Sequence, residues 1–215
     1  MSECVRSASY AASQELLARG LRVTRSHLGE INAALLGYAT YAALLLEARD
    51  PAHRFCLDDA DVIVLDPVSG ANRASELLQG LGTEEVNQVV SACRFALAET
   101  FDNKAFFDSV DEMFDNWAEH EIASMVIHAE NLDPRLARVL GAPACDGAWH
   151  ASDPLWQARD EWVIETKGTI CEADEDGAEI YGGAKLSWQG RMVFHKAGRA
   201  GLIVDTLGAS CQPAS

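Results

Sequence analysis

From Ile31 to Leu46 the chain reads Ile-Asn-Ala-Ala-Leu-Leu-Gly-Tyr-Ala-Thr-Tyr-Ala-Ala-Leu-Leu-Leu, sixteen residues without a charge. Extended outward to Val23 and Arg49, this run predicts one long helix that is apolar on nearly every side. Such a helix must be covered all round, so the remaining elements are expected to wrap it. A membrane span needs about 20 apolar residues to cross about 30 Å of hydrocarbon, and a sixteen-residue run reaches only roughly 24 Å. Glu30 and Glu47 close both ends of the run, and Asn32, Gly37, Tyr38, Thr40 and Tyr41 dilute it. A buried central helix is the expectation, and no membrane association.

Helical spacing recurs on both sides. A first helix capped by Ser7 or Ser9 runs through Leu17 and stops at Arg19-Gly20, and Thr24 or Ser26 opens the central one. Arg49-Asp50-Pro51 ends that helix, because a residue before proline avoids the helical region. Val62 to Leu65 is a β-branched run between acids and a proline and reads as a short strand. Ser69 to Gln79 reads as a helix stopped by Gly80 and Gly82. Thr83 caps another, with Glu84 and Glu85 in its first turn and a stripe of Val86, Val90, Cys93, Leu97 and Phe101. A further helix spans about Asn103 to Asn131, a short one opens at Asp133-Pro134, and residues 141–153 read as a connector. A turn of helix fits Pro154 to Asp160.

Beyond residue 160 the period shortens to two. Trp162 to Lys167, Ile180 to Trp188, Arg191 to His195 and Leu202 to Asp205 read as strands, with turns at Asp174-Glu175-Asp176-Gly177, Gln189-Gly190 and Ala197-Gly198. The expected fold is therefore α+β: a mostly helical N-terminal two-thirds around one buried central helix, with a small antiparallel sheet at the C-terminal end. Residues 1–145 form the helical region and 155–215 a β-rich region packed on it, as two domains or one.

Charge sharpens the picture. The net charge is -16, with 33 acids against 17 Lys and Arg. Residues 1–50 are neutral, whereas residues 108–150 hold nine acids and two bases. A field of that sign repels nucleic acid and anionic lipid and favours a partner with a basic surface. Six cysteines are widely spaced with no Cys-x-x-Cys. The amino terminus lacks a signal-peptide pattern, so reduced thiols in a cytoplasmic protein are expected.

Within the 103–131 helix, Asp108, Asp111, Glu112, Asp115 and Glu119 fall on one ridge, and no Lys or Arg occurs from Ala105 to Pro134. Like charges three or four apart repel, so the ridge is a solvated face or a docking surface for a basic partner. The opposite face starts with Val110, Met113, Phe114 and Trp117 and continues, on an undistorted helix, into His120, Glu121, Ser124 and His128. A carboxylate and two imidazoles in an apolar groove are what a divalent metal or an acid–base pair needs, and Glu30 and His27 are candidates for its second half. Satisfied core histidines are the plainer alternative.

Glu165-Thr166-Lys167 places an acid and a lysine on one strand face. The motif resembles the Glu-x-Lys of the metal-dependent nuclease superfamily named for Pro-Asp…Asp/Glu-x-Lys. That resemblance implies a divalent cation held by Glu165 and an upstream acid, for which Asp146, Asp153 or Asp160 are candidates, with phosphodiester cleavage as the activity. Asp58, Asp59, Asp61 and Asp66 offer oxygen ligands without a calcium-loop pattern.

Two functions are compatible with these features. One is an acidic cytosolic protein that works by protein–protein interaction through Asp108, Asp111, Glu112, Asp115 and Glu119, of inhibitor, immunity, anti-defence or chaperone type. The other is a metal-dependent hydrolase using His120, Glu121 and His128, or Glu165 and Lys167. Oligomeric state is not written in the pattern.

Overall fold

The uncharged run folds as two helices, not one. In the computed structural model, which describes residues 2–128, 140–141, 144–145, 149–174 and 178–213, the helices are α1 (Ser2–Ala18), α2 (Arg25–Leu35), α3 (Tyr41–Glu47), α4 (Pro67–Leu77), α5 (Thr83–Thr100), α6 (Val110–Met113) and α7 (Glu119–Ile127). The strands are β1 (Val62–Val64), β2 (Ala105–Phe107), β3 (Ala144–Cys145), β4 (His150–Ala151), β5 (Glu161–Cys171), β6 (Lys185–Ala197) and β7 (Gly201–Pro213). A π-helical turn, Phe114–Ala118, joins α6 to α7. The expected short helix at Asp133-Pro134, and the preceding helix beyond His128, lie outside the described residues. Among the described residues no helix is long and apolar enough to cross a membrane.

The chain divides into two compact units. The first comprises Met1–Met113, Leu155–Arg159 and Lys196–Ile203; the second comprises Phe114–Pro154, Asp160–His195 and Val204–Ser215. β6 and β7 each give residues to both.

In the first unit, α1 presents Val5, Ala8, Ala12 and Leu16 to the core, and α5 presents Val86, Val89, Cys93, Ala96 and Leu97. The small residues on α1 suit a close helix–helix approach. α2 contributes Leu28, Ile31, Leu35 and the wholly buried Asn32, whose amide donates to Ser9 Oγ at 3.0 Å. The break after α2 centres on Gly37, at φ +81°. A Cβ there would sit 2.6 Å from Trp156 Cδ1. Thr40 Oγ1 then accepts from Ala43 N at 3.1 Å and Glu30 accepts from Tyr41 N at 3.3 Å, which starts α3 afresh. Leu35, Leu36 and Leu44 are fully buried, but Leu46 is 75% exposed, so α3 is covered on one side only. Gly37→Ala should cost about 3 kcal/mol, combining the left-handed penalty with overpacking of the indole. Urea unfolding measures it, and a loss under about 0.5 kcal/mol would contradict this account of the break.

The sheet overturns the expected arrangement a second time. It is mixed, and its parallel part comes from the middle of the chain: β1 pairs in parallel with β2, Val62 opposite Ala105 and Val64 opposite Phe107. On its other edge β1 pairs antiparallel with the start of β7, Ile63 opposite Gly201. All three β1 residues are buried, as suits a strand covered on both faces. Ala105-Phe106-Phe107, expected to be the first turn of a helix, is thus a strand. Three apolar residues fit either period, and β1 supplies the partner that decides.

The second unit is built on long antiparallel strands. β5 and β6 pair along their length from Glu161–His195 to Cys171–Lys185, with β3 and β4 added to the other side of β5. Burial alternates strictly along β5 and nearly so along β6. The inner face carries Trp162, Ile164 and Ile170 from β5, and Leu186, Trp188, Met192 and Phe194 from β6. Trp162 packs 5.7 Å from Phe194 and 6.5 Å from Trp149, which stacks on Phe114. The turn expected at Gln189-Gly190 does not exist. Gly190 continues the inner row, and Ile122 of α7 occupies the place of its missing side chain.

Candidate functional site

The acidic ridge begins as a helix cap. Asp108 N donates to Glu112 Oε2 at 2.6 Å and Glu112 N to Ser109 Oγ at 3.1 Å, a reciprocal capping arrangement that satisfies amides otherwise left open. Arg94 Nε donates to Asp108 Oδ1 at 2.9 Å, with a second guanidinium contact to Oδ2. Two of the five acids are therefore consumed by the fold. Asp111 and Asp115 are exposed and Glu119 is half-buried, and none of the three forms an ion pair among the described residues.

The π turn sets which face of α7 is buried. One extra residue in a turn advances every later position by about 100° relative to an unbroken helix. The buried stripe accordingly runs Phe114, Ala118, Ile122 and Val126, while His120, Glu121, Ser124 and His128 lie off it. His128 Nδ1 lies 2.7 Å from Ser124 O and serves the end of α7. The expected apolar groove holding His120, Glu121 and His128 is absent, and no three His, Cys, Asp or Glu side chains among the described residues are grouped to hold a metal. Glu30 is engaged in the first unit, paired with Arg73 at 2.8 Å, and His27 sits in the first turn of α2 with its amide donating to Thr24 Oγ1.

The aspartates near β1 are also structural. Asp59 Oδ2 accepts from Cys56 N at 2.8 Å, and Asp66 caps α4 by accepting from Ser69 N at 2.9 Å and Ser69 Oγ at 2.7 Å. Asp58 accepts from the Cys4 thiol, which burial and that contact push up to about 11.

Glu165 and Lys167 share the outer face of β5, as expected. Across the ladder Glu165 faces Arg191 on β6 and His150 on β4, and Lys167 faces Gln189. These residues line a groove of about 600 Å³ that Thr206 and Ser210 of β7 complete. Arg191 Nε stands 3.5 Å from Glu165 Oε1, with both side chains more than 60% exposed. A guanidinium beside the carboxylate disfavours a divalent cation at the same oxygens. Of the acids expected to complete a nuclease-like site, Asp146 lies outside the described residues, and Asp153 and Asp160 do not line the groove. Period-two spacing carried through Gly190 is the signal in the sequence for Gln189 and Arg191; His150 leaves none.

A buried network in the first unit has no forerunner in the sequence pattern. Tyr38 Oη donates to Glu47 Oε1 at 2.6 Å and accepts from Arg199 N at 3.2 Å. Burial, then the Glu47 carboxylate, pushes the phenol well above its ordinary range. Lys196 is 5% exposed and donates to Arg199 O at 2.6 Å. Burial lowers its ammonium to about 7, against the opposing pull of Glu47. A second cavity of about 410 Å³ is lined by Glu47, His53, Trp156, Arg159 and Arg199 among others, but Arg199 is already held there by Glu47 and by Gly37 O.

No family model, no curated protein and no solved structure matches this chain.

Proposed function

We propose that this is an acidic cytoplasmic binding protein that captures a protein partner with a basic surface, in the manner of an inhibitor, an immunity or anti-defence factor, or a chaperone. The observation that supports this reading is the sorting of the ridge. Asp108 and Glu112 serve the helix start, whereas Asp111, Asp115 and Glu119 carry charge without ion pairs among the described residues, on a chain of net charge -16. Exposed charges without ion pairs steer a basic surface toward them and favour the pairing. None of the six cysteines forms a disulfide, which suits a reducing compartment.

The test uses the full chain as bait in lysate of its native host. D111K/D115K/E119K should lose the protein that the wild type retains, by about tenfold or more, with an unchanged circular dichroism spectrum and melting temperature. Retention by the wild type should also weaken as salt rises, since exposed pairs are screened. E112A and D108N should behave differently, lowering the melting temperature through the acceptor lost to Asp108 N and the weakened pair with Arg94, while leaving capture in place. Undiminished capture by the triple variant would remove the proposal.

A further inference from the structure

We propose that the outer face of β5, β6 and β7 is a binding site for a small organic anion, one carboxylate or phosphate group on a compact apolar body. The argument starts from where the cations are. Acids outnumber Lys and Arg by 33 to 17, yet Lys167 forms no ion pair among the described residues and lines the groove beside Arg191. Arg191 stands beside Glu165, with Nε 3.5 Å from Oε1 and both side chains more than 60% exposed. An exposed guanidinium of this kind can meet a carboxylate or phosphate in the bidentate geometry by which arginine recognises both. Glu165 offsets one of the two fixed positive charges.

The rest of the lining matches a ligand of this kind. Gln189, Thr206 and Ser210 are neutral hydrogen-bonding groups, and His150 stands across the ladder from Glu165. Between the polar groups lie Val193, Gly208, Ala209 and the backbone of Gly190, which offer apolar surface to the remainder of the ligand. A volume of about 600 Å³ lies within the range of small-molecule clefts. Every lining residue belongs to the second unit, so the site is complete within it.

The test titrates phenyl phosphate, benzoate and inorganic phosphate into the full chain by calorimetry. Phenyl phosphate or benzoate should bind with a dissociation constant below about 1 mM, and the tighter of the two identifies the anionic group. Inorganic phosphate should bind about tenfold more weakly than phenyl phosphate, because it leaves the apolar lining uncovered. Lys167→Gln and Arg191→Gln replace exposed side chains and should each weaken binding about tenfold with the melting temperature unchanged. Absence of binding by both aromatic anions would overturn the proposal, as would affinities indifferent to both substitutions. D111K/D115K/E119K should bind the anion as the wild type does, which keeps this site separate from the partner-capturing face.

Discussion

Gly190→Ala should destabilise the protein by about 3 kcal/mol, and Ile122→Ala, a cavity at a wholly buried site, by a similar amount. The double variant should cost no more than Ile122→Ala alone. The reason is steric. A Cβ on Gly190 would overlap Ile122 Cγ2 and come within 3.4 Å of Trp188 Cζ3, and removing the isoleucine side chain vacates the space that the new methyl needs. A double-mutant cycle from urea unfolding reads the coupling directly. Strict additivity would mean that α7 does not hold its place on the inner face through this contact.

Lys196 governs the second large effect. Its folded-state value of about 7 lies below the ordinary 10.5. Between those values the unfolded chain holds the proton and the folded chain has released it, so stability rises with pH through this window. Below about pH 7 both states are protonated and the full cost of burying the ammonium is present. Lys196→Met removes the titration. The stability of the wild type relative to this variant should therefore increase by on the order of 4 kcal/mol between about pH 7 and about pH 10. Parallel curves for the two proteins across that range would show that the ammonium is not desolvated in the fold.

Much of the first unit is legible where one element's own residues decide its form. The stripe from Val86 to Phe101 is buried as its spacing predicts, and Gly20, at φ +83°, ends α1 as a glycine stop should. What escapes is decided by residues far along the chain. Nothing in the uncharged run shows that Gly37 takes a left-handed conformation, or that Trp156, far along the chain, fills the space beside it. Ala105 to Phe107 reads equally well as helix or strand until Val62 to Val64 stand beside it. Gln189-Gly190 matches a turn signal locally, although Leu186, Trp188, Met192 and Phe194 keep even parity through it.

The candidate sites divide along the same line. Glu165 and Lys167 share a face because adjacent strand positions alternate, which any strand guarantees. Arg191 and His150 join them through inter-strand register, which one strand does not record. The histidines of α7 miss the apolar face for a different reason: a wheel projection assumes a constant turn, and Phe114–Ala118 does not keep it.

That irregular turn has a practical consequence for anyone imitating the helix. A synthetic peptide cut from residues 110–127 and freed from the tertiary packing that sustains the wider turn would not keep that turn. Asp115 and Glu119 would then lose the spacing that the π turn gives them. A faithful mimic of this segment needs the wider turn locked in place.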